Sequence, residues 1–116
     1  MPTARYDFEL DQGTDVSVPF SLVDASDKPV DLTGCKARMQ LRTTYSAETP
    51  ADDLSTENGR MLIDGPAGTI TAKFTHDGTA KLKPGAYVYD VEVETEAGEV
   101  LRVVSGEILC TPEVTR

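Results

Sequence analysis

Tryptophan is absent from this 116-residue sequence, and aromatic side chains of any kind make up 6% of it. Basic residues are also few, 11 Lys and Arg against 20 Asp and Glu. The resulting net charge of −9 disfavours nucleic acid and anionic membrane surfaces as partners, because both require a basic surface. No window approaches about 18 apolar residues and the start has no apolar segment, so we expect neither a membrane span nor a signal peptide.

Cysteine occurs twice, at Cys35 and Cys110, which is too few for a disulfide framework. Both residues fall inside apolar strand patterns. This placement predicts two small buried thiols in a reducing compartment, with a bridge between them as the alternative. We expect the chain to fold in a cytoplasm.

The residue types of catalytic sites do not form a recognisable site. His76 is the only histidine and lies in a polar turn, and no Cys–His spacing typical of zinc is present. Phosphate-binding glycine loops and the nucleophile elbow are missing as well. The carboxylates of Asp52, Asp53 and Glu57 are a candidate calcium site, but their spacing does not match an EF-hand. The sequence therefore predicts a protein that is not an enzyme and that has no catalytic, cofactor-binding or metal site.

What the sequence does have is alternation of apolar and polar residues in short runs separated by turns. Such spacing favours an all-β sandwich of seven to eight strands. The length suits one domain, residues 1–116, that buries about two-thirds of the surface its unfolded chain exposes. The main runs are "RYDFELD", "VSVPFSLV", "CKARMQLR", "RMLID", "TITAKFT", "GAYVYDVEVE" and "EVLRVVSGEILC".

The most specific stretch is "LKPGAYVYDV", residues 82–91. In immunoglobulin-like sandwiches a tyrosine near the start of strand F hydrogen-bonds back to the backbone of the preceding corner. Tyr87 fits that position, Pro84 and Gly85 would turn the chain, and Leu82 would pack beneath the corner. The alternative is an ordinary hairpin with two core tyrosines. We therefore predict an immunoglobulin-like antiparallel β-sandwich, with these residues as its fold-determining corner.

Two of the predicted strands carry opposite charges on their outer faces. Since strand F pairs with strand C in this architecture, the two rows are expected to lie side by side, about 4.5–5.5 Å apart, and to stabilise by roughly 0.2–1 kcal/mol per pair. The basic row belongs to "CKARMQLR" and the acidic row to "GAYVYDVEVE": Lys36, Arg38, Arg42; Asp90, Glu92, Glu94.

Three irregularities are expected elsewhere. Pro19 lies within a strand pattern, which predicts an unpaired edge or a bulge. The apolar parity of the last strand shifts around Ser105 and Gly106, which predicts a β-bulge there. The segment "HDGTAKLKPG" is the one stretch that could hold a helical turn.

Residues 44–58 are polar, with Tyr45 and Leu54 as their only large apolar side chains. This predicts a long loop, and long loops are often functional. Tyr45 and Leu54 are our candidate protein-interface residues, together with unpaired strand edges and the two termini. The alternative is that both side chains pack beneath their own loop.

The ordered motifs resemble those of small tailed-bacteriophage virion proteins. They comprise "YDFELDQGTDVSVPFSLVDASDKPVDLTG", "ARMQLRTTYS", "LSTENGRMLIDGPAGTITAKFT", "LKPGAYVYDVEV" and "PEVTR". A more distant similarity is to the N-terminal domain of phage baseplate upper proteins. The sequence departs from the pattern at Cys35, where an aromatic residue is more usual, and in "ETPADDLS".

The resemblance implies an immunoglobulin-like structural component of a virion: an adaptor at the tail, neck or baseplate, or a capsid decoration. Its partners would be other virion proteins, in a symmetric oligomer assembled in the host cytoplasm. The alternative function is a module that binds carbohydrate or a host surface through its loops. The lack of tryptophan, and the placement of most Phe and Tyr residues in apolar rows, weaken that alternative.

Overall fold

The computed structural model describes residues 3–115 and arranges them as nine strands and one short helix. The elements, in chain order, are β1 (Ala4–Arg5), β2 (Phe8–Asp11), β3 (Val16–Ser21), β4 (Lys36–Arg42), β5 (Asp52–Ser55), β6 (Met61–Asp64), β7 (Thr69–Phe74), α1 (His76–Lys81), β8 (Gly85–Glu94) and β9 (Val100–Thr111). No helix among residues 3–115 has the length and apolar character needed to cross a membrane.

The strands form two sheets. The larger has the order β1–β9–β8–β4–β5, with β2 continuing the line of β1 along β9, and the smaller has the order β3–β7–β6. Neighbours are antiparallel except β1 and β2, which run parallel to β9. This is an immunoglobulin-like β-sandwich, as the sequence predicts, with β4, β8 and β9 in the positions of strands C, F and G.

The core forms because alternate residues of a strand point to opposite faces of its sheet. Along β4 and β8 the inward residues are buried and the outward residues are exposed or half-buried. The inward set is the one that the alternation predicts: Ala37, Met39, Leu41, Tyr87, Tyr89, Val91 and Val93.

The prediction of an unstructured loop over residues 44–58 is wrong in its second half. Strand β5 lies there and pairs with β4, placing Leu54 opposite Met39. Leu54 is fully buried in the core. A four-residue edge strand with one inward side chain gives almost no alternation, which is why the sequence pattern does not reveal it.

The predicted bulge in the last strand exists but lies slightly earlier than expected. Val91 faces Val104 and Glu92 faces Arg102, so Val103 is the extra residue. Val103 and Val104 are both buried, as expected where a bulge turns two consecutive side chains toward one face.

The first predicted strand is interrupted at Tyr6 and Asp7, between β1 and β2. Leu10 is buried and Phe8 is half-buried, whereas Tyr6 is 48% exposed rather than fully in the core. Gly106 lies at the gap, where a Cβ atom would overlap the backbone carbonyl of Tyr6. The absence of a side chain at Gly106 therefore lets the first strand approach β9 closely.

The predicted helical turn is α1. It begins after Thr75, whose hydroxyl accepts a hydrogen bond from the N–H of Gly78, a normal N-cap arrangement. Thr79 is fully buried, and its hydroxyl donates to the carbonyl oxygen of Thr14. This contact holds the helix against the turn that precedes β3.

Candidate functional site

The outer face of the large sheet carries the charged rows that the sequence predicts. In the β4–β8 register, Lys36 lies opposite Glu94 and Arg38 opposite Glu92. The Nε and Nη2 atoms of Arg38 approach the same oxygen of Glu92, at 3.0 and 2.9 Å. The predicted rows therefore match at two positions, whereas Arg42 lies opposite Val88 and Asp90 lies opposite Gln40.

Strand β9 adds a third row, which the sequence reasoning did not include. Asp90 lies between Gln40 on β4 and Ser105 on β9, and its Oδ2 is 3.4 Å from Nε of Arg102. Burial raises the pKa of the Asp90 carboxyl, Glu92 raises it further, and Arg102 opposes both effects. Asp90 is thus a partly desolvated carboxylate at the centre of a charged face.

A cleft of about 550 Å³ lies on this face. One end is formed by the turn after β4, where the Arg42 guanidinium donates to the carbonyl of Ala47 at 2.7 Å and to Oε1 of Gln40 at 2.8 Å. These bonds fix the turn that carries Tyr45, whose side chain is 83% exposed. The polar and aromatic groups that line the cleft are Arg38, Gln40, Arg42, Tyr45, Tyr89, Asp90, Glu92, Arg102 and Ser105.

The structure separates the two predicted interface residues. Leu54 is in the core and is not available to a partner, which corrects that prediction. Tyr45 is exposed at the cleft and stays a candidate contact residue. The predicted contact role of the termini falls in part on residues 1, 2 and 116, which lie outside the described residues.

The predicted corner has the expected geometry. The hydroxyl of Tyr87 donates a hydrogen bond to the carbonyl oxygen of Lys83, four residues earlier. Leu82 and Tyr87 are buried, and Gly85, after Pro84, has a φ of 137°, a value that side chains rarely allow. Burial raises the pKa of Tyr87, so the phenol stays protonated as the donor.

Three sheet edges are obstructed. The β1–β2 edge is interrupted between its two short strands. On β3, the N–H of Leu22 donates to the carbonyl of Gly68, so this pair is hydrogen-bonded. Because hydrogen-bonded and non-hydrogen-bonded pairs alternate along an antiparallel ladder, the backbone groups of Pro19 point away from β7. Pro19 thus lies on an edge, as predicted, and removes a donor from it.

The edge of β5 is occupied by side chains from the segment that follows it. The Asp53 carbonyl accepts from Nδ2 of Asn58 at 3.1 Å and from Nη1 of Arg60 at 3.2 Å. The N–H of Ser55 donates to Oδ1 of Asn58 at 3.0 Å. An incoming strand would have to displace these bonds.

The edge of β6 differs from the others. The N–H of Lys73 donates to the carbonyl of Arg60 at 2.8 Å. Because hydrogen-bonded pairs alternate along the β6–β7 ladder, the backbone groups of Met61 and Ile63 point away from β7. Within residues 3–115, no side chain or loop bonds to the outward backbone groups of this edge. Leu62 is 49% exposed beside it.

Two of the three candidate calcium ligands, Asp52 and Glu57, have other partners. Asp52 forms a two-pronged ion pair with Arg60, at 2.6 and 2.8 Å, and Glu57 lies 3.8 Å from Lys36. Across residues 3–115, no group of three or more His, Cys, Asp or Glu side chains is placed to hold a metal ion. The Asp52–Arg60 pair instead helps to hold the segment that covers the β5 edge.

The remaining reactive side chains lie apart from the cleft. Cys35 is half-buried and Cys110 is buried, both as free thiols, and burial raises the pKa of each. Nδ1 of His76 is 3.0 Å from Oδ1 of Asp15. This hydrogen bond raises the pKa of His76, and bonds from His76 lower the pKa of Asp15.

Sequence reasoning found two rows of the charged face but missed the cleft. The alternation of β4 and β8 places their charges side by side. The contributions of Arg102 and Tyr45 depend on the β9 register and on the folded turn after β4, which no local pattern encodes. The polar position of Arg102 in the apolar "VLRVVS" run is the one signal that could have suggested it.

No protein family model matches the chain, and no curated protein sequence is similar to it. Among solved structures, the chain is similar to the fibronectin(III)-like modules of Clostridium thermocellum CbhA. The identity is 20% and the TM-score 0.45, over 98% of this chain and 93% of that chain. The fold assignment therefore depends on the chain's own strand order and register, which are those of an immunoglobulin-like sandwich.

Proposed function

We propose that this chain is a non-enzymatic structural module that serves as an adaptor in a larger assembly, and that the assembly is a tailed-phage virion. The observation that carries the adaptor role is the contrast among the sheet edges. An unpaired edge attracts foreign strands, and proteins commonly obstruct such edges to prevent this. Here β3 and β5 are obstructed, whereas β6 offers its backbone groups and an exposed Leu62.

Strand addition at β6 would use the most general form of peptide recognition. Main-chain bonds supply affinity, and alternate side chains of the added strand supply specificity. Met61 and Ile63 would provide the backbone groups, and Leu62 would add apolar contact area outside the core. The partner would be an extended segment of another virion protein, with the module present in several symmetry-related copies.

The virion as the setting is supported by the order of sequence motifs, from "YDFELDQGTD" through "LKPGAYVYDVEV", that resemble small virion proteins. Tail, neck, baseplate and capsid are all compatible with an adaptor of this size. The enzymatic alternative has little to recommend it, because both carboxylates of the cleft, Asp90 and Glu92, are paired with arginines of the same sheet face.

The setting is tested by purifying particles from a culture that carries this coding sequence and searching them for the chain by mass spectrometry. We expect the chain in the particle fraction at a fixed ratio to the major capsid protein. Its absence from particles, with the folded protein present in the lysate, would contradict a virion role.

The edge is tested by Leu62→Lys, which puts a charge beside β6 and should prevent incorporation without unfolding the protein. Val100→Lys is the matched control, because Val100 is 48% exposed, like Leu62, but lies on the other sheet. Equal incorporation of both variants would refute β6 as the attachment site.

A further inference from the structure

We propose that the cleft on the outer face of the large sheet binds an acidic saccharide, a pyranose ring that bears a carboxylate. The site is distinct from the β6 edge, which belongs to the other sheet. A module attached through β6 would therefore keep the cleft accessible.

The charge of the cleft is opposite in sign to that of the whole chain. The cleft is lined by Arg38, Arg42 and Arg102 against Asp90 and Glu92, a sum of +1, in a chain of net charge −9. Since this patch is positive on an acidic protein, it favours a ligand with a single negative charge.

One guanidinium of the cleft is not neutralised by its bonds. Arg38 is engaged by Glu92 and Arg102 lies beside Asp90. Arg42, in contrast, donates to two neutral acceptors, the Ala47 carbonyl and the side chain of Gln40. The planar fork of an arginine suits a carboxylate. We therefore assign the ligand's charge to Arg42, which bonds to Gln40, and to Arg102, which lies beside Asp90.

The remaining polar groups of the cleft suit vicinal hydroxyls. Asp90 accepts hydrogen bonds, Gln40 both donates and accepts, and Ser105 does the same through its hydroxyl. They lie side by side in one cross-strand row. Such a row of short polar side chains on rigid strands can contact adjacent hydroxyls of a ring.

Tyr45 offers an aromatic ring to a ligand in the cleft. Its ring is 83% exposed at the rim of the cleft, and no core position requires it there. An aromatic face can cover the C–H surface of a pyranose while its hydroxyl stays in water. A volume of about 550 Å³ is within the usual range of about 300–1,000 Å³ for small-molecule sites.

An extended acidic peptide is the competing occupant, and the geometry favours the saccharide. A peptide strand obtains most of its affinity from backbone bonds at a sheet edge. The cleft lies on a sheet face, where the available groups are side chains. Asp90 and Glu92 would also repel a run of carboxylates.

The test is a titration of the isotopically labelled protein followed by backbone amide NMR shifts, with D-glucuronate as the probe. We expect saturable shifts at Gln40, Asp90 and Ser105, with a Kd on the order of 1 mM for a ligand of this size. D-glucose has the ring without the charge, and acetate has the charge without the ring. Both should bind at least about tenfold more weakly than glucuronate does.

Three substitutions locate the site. Tyr45→Ala and Arg102→Gln should each weaken glucuronate binding, by about threefold to tenfold, and both side chains are exposed enough for the fold to persist. Lys73→Gln is the matched control, since it removes one positive charge from an exposed position on the other sheet. It should leave the Kd unchanged.

Several outcomes would overturn the proposal. Glucuronate could cause no saturable shift, or acetate could bind as tightly as glucuronate. Lys73→Gln could also weaken glucuronate binding as much as Tyr45→Ala and Arg102→Gln do. Binding of an oligoglutamate peptide at the cleft in place of glucuronate would assign the face to an acidic protein segment instead. None of these results bears on incorporation through β6.

Discussion

The hydroxyl of Tyr89 donates a hydrogen bond to the backbone carbonyl of Tyr6, 83 residues earlier in the chain. Tyr6 lies at the gap between β1 and β2, and Gly106 lies opposite Tyr89 in the β8–β9 ladder. The missing side chain of Gly106 makes room for the carbonyl that Tyr89 binds. The gap in the first strand is therefore a specific junction that ties the start of the chain to the centre of the large sheet.

Gly106→Ala should destabilise the protein by about 1–3 kcal/mol, because the new methyl group would meet backbone atoms that cannot move aside cheaply. Urea denaturation would measure the change. Ser105→Ala, at the adjacent position, should stay within about 0.5 kcal/mol of the parent. Equal effects of the two substitutions would show that the junction is not tightly packed.

The two buried tyrosine hydroxyls should each contribute to stability. Tyr87→Phe removes the corner bond to Lys83 and should cost about 0.5–1.5 kcal/mol. Denaturant midpoints would show the change, with Tyr45→Phe as an exposed control expected to have no effect. An unchanged midpoint for Tyr87→Phe would mean that the corner bond does not stabilise the fold.

Leu54 and Tyr45 should respond in opposite ways to truncation. Leu54→Ala opens a cavity beneath β5 and should cost about 2–5 kcal/mol. Tyr45→Ala should change stability by no more than about 0.5 kcal/mol, because the ring is exposed. Thermal melts of both variants would test this. A large loss with Tyr45→Ala would place its ring against the fold rather than in solvent.

The parts of the fold that sequence predicted are those governed by local pattern. The long alternations of β4 and β8 and the corner at Tyr87 were all readable in this way. Strand β5 was not, because the residues two positions before and after Leu54, Asp52 and Thr56, are polar and no alternation develops. The bulge was misplaced because Val103 and Val104 are both apolar, so parity alone does not say which residue is extra. The cleft depends on the packing of β9 and of the turn beside it, information that resides in tertiary structure.

Asp90 should make stability depend on pH. Its folded-state pKa is raised above the ordinary value of 3.8, so the charged form is disfavoured in the fold. The fold therefore gains stability from this group as pH falls through the raised pKa. Asp90→Asn removes the penalty and should be more stable than the parent at pH 7, by an amount that shrinks toward zero near pH 3.8. Urea midpoints across that range would test it. If the variant is less stable than the parent at pH 7, the attraction between Asp90 and Arg102 stabilises the fold by more than the burial of the charge costs.

The two thiols should differ in reactivity. Cys35 is half-buried and Cys110 is buried, and the raised pKa of each thiol slows alkylation. Under non-reducing conditions the native protein should label at Cys35 before Cys110, and the denatured protein at both. Mass spectrometry of the alkylated peptides would show the order. Failure of either site to label after denaturation would reveal an oxidised cysteine.

The obstruction of β3 by Pro19 and of β5 by Asn58 and Arg60 would also determine how the proposed association through β6 ends. A β-protein with open edges on both sides can stack copy upon copy into a fibre, since every addition exposes a fresh edge. A copy that receives a strand at β6 presents an obstructed edge, at β3, on the far side of the same sheet. Growth through the small sheet would therefore stop after one addition, however high the local concentration of copies.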